Sequence, residues 1–167
     1  MTEACEKYHT LSDKWVLWAH LPHDTNWSLS SYKKILKFTT IEELITLYDS
    51  MSETLVKNCM LFLMKHNINP IWEDKQNRNG GCFSFKSSNK NVYIAWKNLS
   101  FYLVGNTLTE NDNLMKNITG ITISPKKSFC IIKIWVNCCE FQNPTILERV
   151  KSLNFQGCLF KRHIAKN

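Results

Sequence analysis

No stretch of this chain approaches the ~20 consecutive apolar residues that a membrane-spanning helix requires. A Cys-x-x-Cys pair is also missing. The seven cysteines are scattered, and Cys138 and Cys139 are adjacent, which puts them on opposite faces of an extended segment. That spacing argues against a structural zinc site. Cys59, Cys130 and Cys158 lie in apolar settings, and no signal peptide opens the chain, so reduced thiols in a cytoplasmic protein are expected. Without a secretory signal, the glycosylation sequons at Asn26, Asn98 and Asn117 carry no weight. His9, His20, His23, His66 and His163 are dispersed, and neither paired carboxylates nor a His-Glu-x-x-His spacing organises them. Nothing here assembles an activated nucleophile or a metal cluster, so a binding protein with no metal and no cofactor is expected rather than an enzyme. Internal repeats, linkers and low-complexity segments are absent too. The 167 residues therefore read as a mobile polar tail over 1–10 and a single domain over 11–167, expected to be monomeric.

What is present suits a packed domain with an anionic partner. Hydrophobic residues make up 44% and aromatics 12%, far from a disordered composition. The formal charge of +7 and the pI of about 9.0 fit a phosphate-bearing ligand.

Periodicity divides the chain into strands and helices. Lys14 to His20 alternates, with Trp15, Leu17 and Ala19 on one face and Val16 and Trp18 on the other. Leu21 to Ser31 is a polar loop that contains Trp27, and Ile35 to Thr39 is a short strand. Thr40-Ile41-Glu42-Glu43 is a capping box that opens a helix. Apolar residues follow at helical spacing: Ile41, Leu44, Ile45, Leu47, Tyr48 and Met51. Strands are expected over Cys59–Lys65, Gly81–Lys86, Ile118–Ser124, Phe129–Val136 and Cys158–His163, with a hairpin turn at Pro125-Lys126-Lys127-Ser128. Ile118, Gly120 and Thr122 should share one face of their strand. Helices are expected over Val92–Val104 and from Asn143-Pro144 to about Leu153. This mixture indicates an α+β fold.

The most informative segment is Ile68-Asn69-Pro70-Ile71-Trp72-Glu73-Asp74, followed by Asn77-Arg78-Asn79-Gly80-Gly81. It sets an aromatic plate beside a carboxylate, next to a glycine turn. A tryptophan face stacks on any base. A carboxylate only accepts hydrogen bonds, so it suits a base edge that offers only donors, such as the N1–H and NH₂ of guanine. Trp27, in its polar loop, has no obvious core to fill, whereas Trp15, Trp18 and Trp96 sit in apolar periodic segments and belong to the core.

In order along the chain, these blocks resemble the cap-binding translation initiation factor 4E family. The resemblance runs from about His9 to His163. It is carried by His9-Thr10-Leu11 with Lys14-Trp15-Val16-Leu17-Trp18, by Trp27, and by Lys37 to Tyr48. Pro70-Ile71-Trp72-Glu73-Asp74 with Asn77 and Gly80-Gly81 is the most specific block, and Trp96, Gly105, Gly120 and Trp135 follow at the family's spacings. The resemblance implies a cupped, curved antiparallel sheet with about three helices on its convex face. It also implies that the concave face binds the 7-methylguanosine cap of messenger RNA. Trp27 and Trp72 would sandwich the methylated base, Glu73 would accept from its edge, and Trp135 would touch the methyl group. N7-methylation leaves the base cationic, which adds a cation–π attraction to each stack. Lys126 occupies the family's phosphate-binding position. Ile131 stands where a second basic residue is usual, so Lys127 or Lys133 is the expected substitute. Lys161-Arg162 reads as a solvated tail.

The resemblance further implies a partner surface on the convex face, formed by His9, Leu11, Ile41, Ile45, Lys97, Asn98 and Phe101, for a scaffold protein of the initiation factor 4G type. Ile45 replaces the family's docking tryptophan, Thr10 a proline, Lys97 and Asn98 the usual Leu and Glu, and Phe83 a tryptophan. A diverged scaffold is therefore expected. The chain ends at Asn167, which leaves the family's carboxy-terminal loop over the second nucleotide mostly missing. These departures fit a fast-diverging lineage, such as a virus-encoded or protist member. Recruitment of capped messenger RNA for translation is the first functional expectation. A cap-binding repressor or decoy without a scaffold is the alternative.

Overall fold

The computed structural model describes residues 7–164, so residues 1–6 of the expected tail and residues 165–167 lie outside the described residues. Seven antiparallel strands form one sheet: β1 Thr10–His20, β2 Tyr32–Thr40, β3 Met60–Lys65, β4 Gly81–Ser88, β5 Ile118–Pro125, β6 Phe129–Val136 and β7 Leu159–Arg162. Their spatial order is β2-β1-β3-β5-β6-β4-β7. The helices are α1 Ile41–Ser50, α2 Glu53–Asn58, α3 Val92–Val104 and α4 Asp112–Asn117. The fold is α+β, as expected, and β6 and α3 have the expected bounds.

Strand alternation sorts the side chains onto two faces. Trp15, Leu17, Phe83, Phe85, Ile121, Ile123, Ile132 and Ile134 enter one large core with Leu44 and Tyr48 of α1 and with Ala95, Trp96, Leu99 and Leu103 of α3. Helix α1 begins with the expected capping box: the Thr40 hydroxyl accepts from the Glu43 N–H, and the Glu43 carboxylate accepts from the Thr40 N–H. The opposite face carries a smaller cluster of Val16, Trp18, Phe62, Met64, Ile68, Cys82 and Trp135, with Tyr32 and Met60 at its border. Among the described residues, none from a helix joins this second cluster, and candidate site residue Trp135 belongs to it. Gly120 on β5 is required by close approach, because a Cβ there would lie 2.5 Å from the Leu63 carbonyl oxygen and the Met64 sulfur.

Three expectations are corrected, and one is filled in. First, the chain is fixed before residue 11. The His9 N–H donates to the Glu42 carboxylate at 3.0 Å, its carbonyl accepts from the Ile41 N–H at 3.0 Å, and Thr10 already belongs to β1. Second, two short helices, α2 and α4, accompany the longer α1 and α3. The short α2 and α4 are each opened by a side-chain cap, Ser52 and Asn111, and their six residues are too few for a clear helical period. Third, the helix expected from Asn143-Pro144 to Leu153 is only a 3₁₀ turn over Pro144–Ile146. Leu147, Val150 and Leu153 have helix-like spacing, but the Glu148 N–H donates to the Leu108 carbonyl and Ser152 has φ 69°, so tertiary contacts bury these residues without a helix. Fourth, a bulge between Ile118 and Gly120 turns Ile118 into the main core, away from the face of Thr122.

Candidate functional site

Two loops at opposite ends of β1 and β3 supply the exposed tryptophans. The loop after β1 carries Trp27, which is 54% exposed, and the loop after β3 carries Trp72, 46% exposed. In a protein whose other four tryptophans are buried, both indoles are available to a ligand.

The Trp72 loop is built around two side chains. The Asp74 carboxylate accepts from the N–H groups of Asn69 at 3.0 Å and Gln76 at 2.8 Å. The fully buried Asn77 amide donates to the carbonyls of Asn69 and Ile71 at 3.1 and 2.9 Å. Ile68 anchors the loop in the smaller cluster. Gly80 closes it against β6, where a Cβ would overlap the Val136 carbonyl oxygen. With its base held this way, the loop presents Trp72 and Glu73 at an exposed tip. The Glu73 charge reaches Tyr32, whose phenol pKa is raised by burial first and by Glu73 second. Tyr32 pairs with His20 where β1 meets β2, at the start of the Trp27 loop.

The Trp27 loop is tied down by local bonds. The Asn26 N–H donates to Asp24 and the Ser28 N–H to the Asn26 side chain, both at 2.9 Å. Trp27, Lys126 and Lys127 line one groove of about 850 Å³, together with His20, Lys57 and Met60. The expected stacking plate and two of the expected phosphate cations therefore stand around one space. Trp72 does not line this groove.

Trp135 and Lys133 share the open face of β6, as their two-residue spacing predicts. Trp135 is only 8% exposed. Its indole N–H donates to the Thr122 hydroxyl at 3.1 Å, and its ring lies 4.7 Å from that of His163. The His163 Nδ1–H donates to the Asn77 carbonyl at 2.7 Å, which links the residue after β7 to the Trp72 loop. Lys161, expected in a solvated tail, is instead in β7 opposite Cys82. Burial pushes the Cys82 thiol pKa up, against the opposing charges of Lys133 and Lys161. Four residues that bear on the site, His20, Tyr32, Thr122 and Lys161, were not assigned to it from sequence. His20 continues the two-residue alternation of Val16 and Trp18, and that signal was legible.

On the helical face, Ile41, Leu11 and Phe101 are half-buried and Ile45 is 44% exposed. The rings of Tyr48 and Phe101 are 5.8 Å apart and join α1 to α3. Lys97 and Asn98 are half-buried on α3, and the Asn98 amide donates to the Lys151 carbonyl at 3.1 Å. His9 is exposed beside Glu42 at the start of α1. Leu11, Ile41 and Phe101 pack against the large core on the helix-covered face, whereas Trp27 stacks on His20 of the other face.

Comparison with known proteins converges on one family. The family model for eukaryotic initiation factor 4E matches residues 10–163. Eukaryotic translation initiation factor 4E-2 of Schizosaccharomyces pombe is 31% identical over 92% of this chain and 63% of its own length. The initiation factor 4E homologue of Acanthamoeba polyphaga mimivirus is 28% identical over 68% of this chain and 50% of its own length. The chain thus spans about half to two thirds of the curated relatives it matches. Among solved structures, a schistosome initiation factor 4E complexed with m7GpppG and a 4E-binding protein superposes with a TM-score of 0.73 at 22% identity, covering 81% of this chain and 75% of that one. Ascaris suum initiation factor 4E-3 with an m7G cap gives a TM-score of 0.70 at 20% identity, covering 80% and 76%. These likenesses establish the fold.

Proposed function

The chain belongs to the eukaryotic initiation factor 4E family, and on that premise we propose that it binds the 7-methylguanosine cap of messenger RNA and recruits the message for translation in the cytoplasm. The observation that carries this reading is the pair of exposed tryptophans on two braced loops, with Glu73 beside one of them and lysines beside the other. A cationic base between Trp27 and Trp72 gains about 1–3 kcal/mol per stack. Glu73 accepts from N1–H and NH₂, a charge-assisted pair that contributes about 1.5–3 kcal/mol. Lys126, Lys127 and Lys133 neutralise the triphosphate, and the edge of Trp135 approaches the methyl group. No bond is made or broken, so the chemistry is recognition.

The convex surface around Ile41, Ile45 and Phe101 serves a scaffold helix of the initiation factor 4G type. The exposed apolar Ile45 supports recruitment over a decoy role, because it leaves part of an apolar docking surface open.

Tryptophan-fluorescence titration with 7-methyl-GTP and with GTP tests the proposal. Selective quenching by the methylated nucleotide, weakened about 10- to 100-fold in Glu73→Gln, is expected. Equal affinity for the two nucleotides would refute it.

A further inference from the structure

The imidazole of His20 lies flat against the Trp27 indole, with ring centroids 4.0 Å apart and planes 5° from parallel. The same ring donates from Nε2–H to the carbonyl of Asn26, the residue before Trp27, at 2.8 Å. A hydrogen bond to a ring N–H lies near the ring plane, so this bond and the stack together set the position and tilt of the indole.

His20 itself cannot move easily. It is 1% exposed, at the end of β1, paired with Tyr32 of β2 on one side and Met60 of β3 on the other. Tyr32 meets its ring edge-on at 5.0 Å, and Phe62 meets Tyr32 in the same manner at 5.2 Å. A rigid train of rings therefore runs from the sheet floor to a tryptophan in an otherwise polar loop. With one indole face covered by His20, the exposed half of Trp27 is the face left for a ligand. Among the described residues, Trp72 has no such ring behind it.

We propose that His20 is a positioning residue for cap recognition: a fixed ring behind Trp27 that holds the indole ready, so that the bound base extends a stack already half built. This rests on Trp27 being a cap plate. The physical gain is preorganisation, because a loop tryptophan held in place before binding loses less freedom when the ligand arrives.

The test pairs two readouts on wild type, His20→Ala and His20→Phe. The first is affinity for 7-methyl-GTP. The second is acrylamide quenching of Trp27 emission, taken as the difference between each protein and its Trp27→Phe counterpart. His20→Ala is expected to bind about tenfold more weakly and to make Trp27 more accessible to acrylamide. His20→Phe keeps a flat ring and should recover most of both. If His20→Ala does not fold, His20→Leu, which is apolar but not flat, takes its place. Unchanged affinity in His20→Ala or His20→Leu overturns the proposal, as does equal loss in His20→Phe. If wild type shows no preference for 7-methyl-GTP over GTP, the cap reading fails instead, and unchanged acrylamide quenching in His20→Ala would separately refute the bracing of Trp27.

Discussion

The indole N–H of Trp135 donates to the Thr122 hydroxyl across β5 and β6 at 3.1 Å, with both side chains almost fully buried. The bond satisfies a donor that would otherwise be stranded on the open face of the sheet. Thr122→Val keeps the shape and removes the acceptor. Stability should fall by about 1–3 kcal/mol, the cost of an unpaired buried donor, while Thr122→Ser retains most of it. Urea denaturation of the two variants measures the difference.

His163 makes stability depend on acidity. Burial is the main cause that holds its pKa below the ordinary histidine value. The hydrogen bond to Asn77 opposes that shift and the charge of Lys133 reinforces it. An unfolded histidine titrates near 6.5. Below that pH the unfolded chain takes up a proton that the folded ring resists, so this contribution is fully present above about 6.5 and is lost as pH falls through the lower folded value. Thermal denaturation between pH 7.5 and 5 should show a decline in wild type that is shallower in His163→Gln.

The phosphate assignment separates by ligand. Lys126→Ala and Lys133→Ala should weaken binding of 7-methyl-GTP while leaving 7-methylguanosine nearly unaffected. Each should reduce the salt dependence of binding by about one unit of slope. If Lys133 already fills the role of the cation missing at position 131, Ile131→Lys will not tighten triphosphate binding. Titrations over a range of salt concentrations decide this.

Ile45 tests the proposed docking surface. Its side chain is 44% exposed on α1, three residues before Tyr48, whose ring lies 5.8 Å from that of Phe101. Ile45→Trp adds an aromatic anchor and should tighten binding of an amphipathic helical peptide of the initiation factor 4G type by about 1–2 kcal/mol, roughly 5- to 30-fold. Calorimetry with such a peptide, on folded protein of unchanged cap affinity, provides the measurement.

Much of the architecture was legible because it depends on neighbours in the chain. The capping box at Thr40 and Glu43 started α1 where expected, since both partners lie within one turn. Alternation assigned Trp15 and Leu17 to the helix-covered core and Val16 and Trp18 to the open face, because a strand's period of two is local. Local order also placed Trp72 and Glu73 together in a loop, whose exposed tip the structure displays. Contacts distant in sequence decided the rest. The bulge that turned Ile118 inward answers to β6, and the 3₁₀ turn at Pro144 gives way to a segment bonded to Leu108. Lys161 reached the open face only because β7 pairs with β4, where it stands opposite Cys82. His20 became the backing of Trp27 through a loop that folds back on its own strand. Residue types and local periods carry the elements and the candidate chemistry. Which side chains meet across the sheet is set by strand order and register, and those follow from burying one face of the whole sheet under the helices.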